Sequence, residues 1–498
     1  MASSALRTRP APRGLASSLG PAGWALLGIV GGAAALRFST LGVQSFWHDE
    51  AVTVGRVLHP GLGATLREIP SSEATPPLYY MLAWLWSKLF GTSEAGIRSL
   101  SALFGTATVP VAYAIGARLV SRRAGLLAAA AVAASPLMVW YSQEARAYAL
   151  LVLTSALTVW LFACVLQEPE RRRWLWWWAA ASALALLSHY FAVFVVVPEA
   201  AWLLWSARGR VLRPLLLAIA IPAVVALALL PLAIHQAGRG HDRWIAAIPF
   251  GTRATTAVKQ YVQGVGGTPS AALSIVIAVC ALAGAVLVVT RTTREERRGL
   301  ALPFGIAAAA VLLAVVLAGL GKDYVVARNL IVAWVPLAVV AAAGWGASRA
   351  GVAGLVAAAG FCAASIAIVI GVDREPRLQR PDWRGAANVI GPAAAQRALV
   401  VPFIGDDPLA YYLPNARVVR HGSVRAGEVD VVGWALRHAR VPRPPAAGFR
   451  LVSVRRSGKL TFVRFVSSRP ATLTREQLAK SRIGEEHGAV LEQQASAR

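Results

Sequence analysis

Long apolar stretches, separated by short polar ones, dominate the first three quarters of the chain. A helix needs roughly 20 residues to cross a hydrocarbon core of about 30 Å. Runs near that length fall at about 20–37, 97–119, 124–141, 145–166, 174–190, 191–206, 214–235, 270–290, 300–320, 328–346 and 351–372. The pattern predicts about eleven transmembrane helices. The first is read as retained, because no small-residue cleavage site follows it. A further run at 77–90 is short and aromatic and reads as an interfacial or partly re-entrant helix.

The arginines set the expected topology. With residues 1–19 as a cytoplasmic tail, alternate loops carry Arg7, Arg9 and Arg13; Arg118, Arg122 and Arg123; Arg171, Arg172 and Arg173; Arg208, Arg210 and Arg213; Arg291, Arg294, Arg297 and Arg298; and Arg349. Basic short loops mark the inner face. The segments predicted outside are 38–96, the turn at 142–144, His189, 236–269, 321–327 and everything after 372. This is the topology of a multi-pass protein of the cytoplasmic (inner) membrane.

Composition agrees. The 498 residues are 56% hydrophobic and 15% charged, with a mean hydropathy of +0.55. A soluble domain averages roughly 25% charged residues, so a single soluble enzyme is excluded. The net charge of +26 lies in short clusters beside apolar runs, which points to the anionic inner leaflet of the bilayer and not to nucleic acid. Cys164, Cys280 and Cys362 each sit inside an apolar run, so neither a disulfide framework nor a zinc site is indicated.

Residues 373–470 are polar, with short apolar stretches, and read as a small extracytoplasmic α/β domain. Alternation on both sides of Ser457-Gly458 predicts a β-hairpin. Tyr411, Tyr412 and Trp434 lie in stretches of helical character. Residues 471–498 read as a polar helix or a disordered tail.

Chemistry concentrates in the outer segments. Trp47-His48-Asp49-Glu50-Ala51 places two adjacent carboxylates just past a membrane helix, where charge is costly unless solvated or used. Neighbours at i, i+1 do not share a helical face, so they would do different jobs; a solvated loop with Asp49 as a helix cap is the plain alternative. Tyr141-Ser142-Gln143-Glu144-Ala145-Arg146-Ala147-Tyr148 puts more polar chemistry into a short turn than the turn requires, the alternative being interfacial tyrosines and a snorkelling arginine. Ser188-His189-Tyr190-Phe191 reads first as packing or capping. Glu199 is an intramembrane carboxylate, functional or simply hydrogen-bonded to a neighbouring helix. Arg328, after Lys322-Asp323-Tyr324, offers a planar fork suited to phosphate, or a surface anchor. Asp382 reads as a helix N-cap. There is no phosphate-cradling glycine loop, nucleophile elbow or metal-ligand spacing.

These pieces, in order with Thr75-Pro76-Pro77-Leu78-Tyr79-Tyr80, Arg98-Ser99-Leu100 and Pro381-Asp382-Trp383-Arg384, resemble the integral-membrane GT-C glycosyltransferases of the family 39 type. Protein O-mannosyltransferases and lipid A aminoarabinose transferases belong to that group. The similarity spans about residues 20–390, with 38–96 corresponding to the catalytic first outer loop. It implies inverting transfer of a sugar from a polyprenyl-phosphate donor to a protein, lipid or glycan acceptor at the outer face. It further implies Asp49 as general base, with Glu50 beside it to orient acceptor or donor. Arg146, Arg328 and then Lys322 would face the leaving phosphate, Glu144 would hold Arg146, and His189 and Tyr190 would line the sugar pocket near Tyr148. His48 is placed to tune the acidic pair. No cofactor is firmly implied; the carboxylates leave room for a divalent cation. A lipid-carrier flippase or solute transporter, or a noncatalytic envelope-glycan subunit, are the competing readings; no internal repeat of broken helices supports the transporter.

Overall fold

A computed structural model describes residues 20–206, 212–240, 243–435, 441–484 and 488–495. The N-terminal tail with Arg7, Arg9 and Arg13, and also Arg208 and Arg210, lie outside the described residues. Every predicted apolar run folds as a helix. Seven of these helices are long and apolar enough to span a membrane: Pro21–Phe38, Glu94–Leu119, Tyr148–Gln167, Leu212–Gly238, Ala271–Arg291, Arg294–Gly319 and Gly351–Arg374. An eighth is a bent pair, Arg122–Ala134 and Pro136–Ser142. The apolar segments Tyr190–Ser206 and Ile331–Trp345 are shorter, as is Arg173–Ser188. The chain is a multi-pass membrane protein. Outward-facing Val279, Leu282, Val286 and Val289 repeat at helical spacing on Ala271–Arg291 and are exposed, as suits a lipid-facing stripe.

The bend of 59° falls at Ser135-Pro136. Proline cannot continue the helical ladder, and the helix ends with carbonyls that lack partners. Arg37, buried in the first span, supplies them. Its Nη1 donates to the Ala133 carbonyl at 3.0 Å, its Nη2 to that of Val132 at 3.0 Å and its Nε to Ser142 Oγ at 3.2 Å. In hydrocarbon every backbone polar group needs such a partner.

The short run at 77–90 forms Leu78–Phe90. Met81, Leu85 and Leu89 are exposed four residues apart, while Tyr79, Tyr80 and Ala83 are buried. One face therefore suits lipid and the other packs on the protein.

Loops alternate between two ends of the bundle. At one end the basic loops associate: Arg118 pairs with Glu168, and Arg123 Nη2 donates to the Gly351 carbonyl. At the other end meet the first loop, the 143–147 turn, His189, Trp244, Arg328 and the C-terminal domain. These are the segments the arginine pattern assigns to one side.

The C-terminal domain is a six-stranded mixed sheet flanked by short helices. Its strands are β1 (Arg397–Pro402), β2 (Ala416–Val418), β3 (Ser423–Trp434), β4 (Arg450–Ser457), β5 (Leu460–Thr474) and β6 (Gly488–Gln493), in the order β2-β6-β1-β3-β5-β4. β1 and β3 are parallel, and every other pair is antiparallel. The predicted hairpin forms, with Ser457 paired to Leu460. Asp382 caps Trp383–Ile390, accepting from the Gly385 N–H at 2.9 Å. Two expectations are corrected. Among the described residues of 471–498, Arg475–Lys480 is a polar helix, but β5 runs to Thr474 and β6 lies inside the sheet, paired to β1 and β2, so the stretch is not a tail. An interior strand needs only the short apolar stretch Ala489-Val490-Leu491, too brief to read beside its polar flanks. Trp434 ends a strand, not a helix.

The Glu94–Leu119 and Arg122–Ala134 helices cross where Gly116 meets Gly125. A Cβ on Gly116 would lie 2.8 Å from Gly125 Cα, with no flexible side chain to give way. Small residues at such crossings let membrane helices approach closely. Gly116→Val should therefore destabilise the protein by about 1–3 kcal/mol, read as a lower melting temperature in detergent.

Candidate functional site

The chain leaves the first span, turns through residues 39–47 and starts the helix His48–Val52, continued by a π-helical turn, Thr53–Val57. Asp49 and Glu50 do diverge, as neighbours on a helix must. Glu50 is fully buried and faces the bundle. Arg98 donates to its Oε1 through Nε at 2.7 Å and to its Oε2 through Nη2 at 2.6 Å. The Ala145 N–H adds a bond at 2.9 Å. The remaining donors of Arg98 go to the carbonyls of Leu41, Gln44 and Ser45. Burial pushes the Glu50 carboxyl up, but Arg98, Arg380 and the Ala145 N–H outweigh it and hold it below the usual carboxylate range. Glu50 is thus a brace for the loop, and no oxygen of it is left for a substrate.

Two further acid–guanidinium clamps surround this one. Arg146 Nη1 donates to both carboxylate oxygens of Glu73 at 2.7 Å and lies 3.5 Å from the Asp49 carbonyl. Burial opposes the Arg146 charge, but Glu73, Tyr80 and Asp49 overcome it and keep the guanidinium charged. The expected Glu144–Arg146 pairing does not occur. Glu144 Oε2 instead accepts from Arg380 Nη2 at 2.8 Å. Two residues apart in a tight turn, Glu144 and Arg146 point to different neighbours, and each finds its opposite charge in a distant segment. Glu144 Oε1 is buried without a hydrogen-bond partner. Burial, with Glu50 and Asp49 nearby, raises the Glu144 carboxyl despite Arg380. Arg380 also lies over the Trp140 ring at 4.2 Å.

Asp49 differs from all three. It is 26% exposed, and its charged neighbour is Arg328, with Nη1 3.6 Å from Asp49 Oδ2. Arg328, 24% exposed, lies over the Trp244 ring at 5.0 Å. That pair is loose and accessible where the others are short and sealed. Tyr148 is buried edge-on to Tyr141 at 4.9 Å and lies 5.6 Å from His189. His189 is buried, and its Nδ1 accepts from the Phe191 N–H at 3.2 Å. Burial, then the charges of Arg146 and Arg328, push its pKa down to about 3, so the ring is neutral at neutral pH. Tyr190 is turned elsewhere: its hydroxyl donates to Gln236 Oε1 at 2.8 Å, and Gln236 Nε2 donates to the Thr75 and Ile69 carbonyls. Lys322 is exposed and makes no side-chain hydrogen bond or ion pair among the described residues, while its neighbour Asp323 is held by Arg253. Glu199 bonds Trp178 Nε1 at 2.8 Å and Thr158 Oγ1 at 3.2 Å within the bundle, which is the hydrogen-bonded alternative.

Sequence reasoning passed over Glu73, Arg98 and Arg380 as site members. Glu73 is the remaining buried acid of the first loop, and Arg98 is a charge inside an apolar run; those were the available signals. Of the first-loop carboxylates, Glu50 is held by Arg98 and Glu73 by Arg146.

Two outcomes follow from these contacts. Arg98→Leu leaves Glu50 buried and uncompensated and should cost about 3–5 kcal/mol, with part of the loss recovered by adding Glu50→Gln, both read by thermal melting. The His189 pKa is depressed below its ordinary value, so folding favours the neutral ring. Stability is therefore lost as pH falls from about 6.5 toward 3, with a limiting slope of about 1.4 kcal/mol per pH unit. His189→Phe should flatten that part of the stability–pH curve relative to the parent protein.

Residues 74–235 match the sequence profile of the dolichyl-phosphate-mannose-protein mannosyltransferase family. No curated protein sequence matches the chain. Among solved structures, the chain is similar to ArnT from Cupriavidus metallidurans bound to undecaprenyl phosphate. That match has a TM-score of 0.54 and 15% identity, over 90% of this chain and 99% of that one. The apo state of the same protein gives a TM-score of 0.51 and 14% identity, over 78% and 84% of the two chains. The chain is therefore similar to the mannosyltransferase family over residues 74–235, and along most of its length it shares the fold of the ArnT structure.

Proposed function

We propose that the protein is an inverting glycosyltransferase. It moves a sugar from a polyprenyl-phosphate carrier to an acceptor hydroxyl at the outer face of the cytoplasmic membrane. The observation that carries this reading is the contrast among the acids. Glu50, Glu73 and Glu144 are each buried against an arginine, whereas Asp49 is accessible and only loosely paired with Arg328. The undecaprenyl phosphate in the ArnT structure supports a lipid-phosphate donor.

In this mechanism Asp49 takes the proton of the acceptor hydroxyl as its oxygen attacks the anomeric carbon. The bond from that carbon to the phosphate oxygen breaks, and its electrons leave with the carrier phosphate. Arg328 exchanges its contact with Asp49 for the phosphate, which frees the carboxylate and stabilises the departing charge. Arg146, already neutralised by Glu73, positions the Asp49 helix and does not receive the phosphate. Neutral His189 and Tyr148 line the pocket without competing for the anion. The donor arrives through the lipid already activated, so no nucleotide-binding domain is required.

Asp49→Asn removes a base without changing shape. With purified protein and a polyprenyl-phosphate sugar it should lower turnover by about 10²–10⁴-fold, with donor binding and melting temperature retained. Turnover equal to the parent protein's would contradict the assignment.

A further inference from the structure

A second cluster of ligand-type side chains lies one residue before Asp49, on the face of the loop turned toward the C-terminal domain. His48 Nδ1 is 3.4 Å from Asp406 Oδ1 and 3.8 Å from Asp407 Oδ2. These three atoms all lie within 4.8 Å of one another, the one such grouping among the described residues. Both aspartates are buried at the start of the helix Asp406–Tyr412. Asp407 Oδ2 and His48 Nδ1 are buried atoms with no hydrogen-bond partner. A sealed carboxylate oxygen and an imidazole nitrogen aimed at each other, neither satisfied, is a costly arrangement unless something sits between them.

We propose that His48, Asp406 and Asp407 bind a divalent transition-metal ion that fastens the C-terminal domain to the helix bearing Asp49. Ligand atoms about 2.0–2.2 Å from a tetrahedral ion stand about 3.4 Å apart. The 3.4 Å contact of His48 with Asp406 matches that spacing, and Asp407 Oδ2, at 3.8 Å, needs only a small inward rotation. Arg56 does not occupy the site. It takes Asp407 Oδ1 at 2.5 Å and approaches Asp406 Oδ2 at 3.6 Å, leaving Asp407 Oδ2 unpartnered and Asp406 Oδ1, which accepts the Asp407 N–H at 2.7 Å, with a lone pair for a ligand bond. One nitrogen and two oxygen ligands, with a fourth position for water, suit zinc-like ions better than magnesium or calcium, which favour all-oxygen shells. The Phe403 ring lies beside the His48 ring at 5.4 Å. The competing arrangement is metal-free, with a protonated His48 and Arg56 balancing the two aspartates.

The test is metal content and thermal response of the full-length protein in detergent, independent of transfer activity. After dialysis against trace zinc, the parent protein should retain about one Zn²⁺ per chain. Asp407→Asn and His48→Gln should retain less than a tenth of that, and Asp49→Asn should retain the full amount. Adding Zn²⁺ to chelator-treated parent protein at about 100 times its Kd should raise the melting temperature by roughly 2–5 °C, saturably, and magnesium should not. No stoichiometric zinc in the parent protein would overturn the proposal. So would retention in a folded Asp407→Asn, or loss in Asp49→Asn, which would move the ion to the catalytic loop.

Discussion

The structure depends on keeping one buried carboxylate charged. Glu50 sits where a lone ionised acid would cost several kcal/mol, and the cost is offset because Arg98 brings all its donors to one place. Two of them bind Glu50, and the others collect the carbonyls of Leu41, Gln44 and Ser45. A single guanidinium thereby sets the path of the loop leaving the first span and pins it to the Glu94–Leu119 helix. The adjacent position on the His48–Val52 helix then has to face the other way. Asp49 is partly open to solvent because Glu50 is not.

The same device is repeated, and each repetition joins a different part of the chain. Glu73–Arg146 ties the end of the first loop to the turn before Tyr148–Gln167. Glu144–Arg380 ties that turn to the segment that opens the C-terminal domain. Arg56 and His48 meet Asp406 and Asp407, while the Phe46 N–H donates to the Tyr412 hydroxyl at 2.8 Å. The sheet domain is consequently a wall of the site and not an appendage. Its charges complete a cluster whose other members come from the first loop and the turn after Ser142, and the candidate site is held between the helix bundle and the sheet. Such a frame fixes reacting groups more closely than a free loop can.

The helices were legible in the sequence because apolar runs and basic loops report directly on burial in lipid. The Ser457-Gly458 turn and the Asp382 cap were legible because both are local chemistry. The identity of the acidic pair was visible for the same reason: two charges just past a span are costly wherever they go. That the two side chains face different ways followed from helical geometry, but their partners did not, and Glu50, expected to orient a substrate, is taken up by Arg98 and the Ala145 N–H. Glu144 and Arg380 are 236 residues apart, and nothing in a two-residue turn says that Arg146 belongs instead to Glu73. Arg37, at the end of the first apolar run, is buried and binds the carbonyls of Ala133 and Val132 left open by the break at Ser135-Pro136, a contact no local pattern announces. β6 was hidden because three apolar residues suffice for a strand with neighbours on both sides.

The central claim is that Asp49 and Arg328 part to admit a phosphate-linked sugar, one taking the acceptor face and the other the leaving group. A structure of the protein with a non-hydrolysable polyprenyl-phosphate sugar bound tests this most directly. The account predicts the phosphate on Arg328, the Asp49 carboxylate released from it, and room beside the anomeric carbon for an acceptor oxygen at about 3–3.5 Å within reach of Asp49. A sugar bound elsewhere in the bundle, with the Asp49–Arg328 contact unbroken, would contradict it.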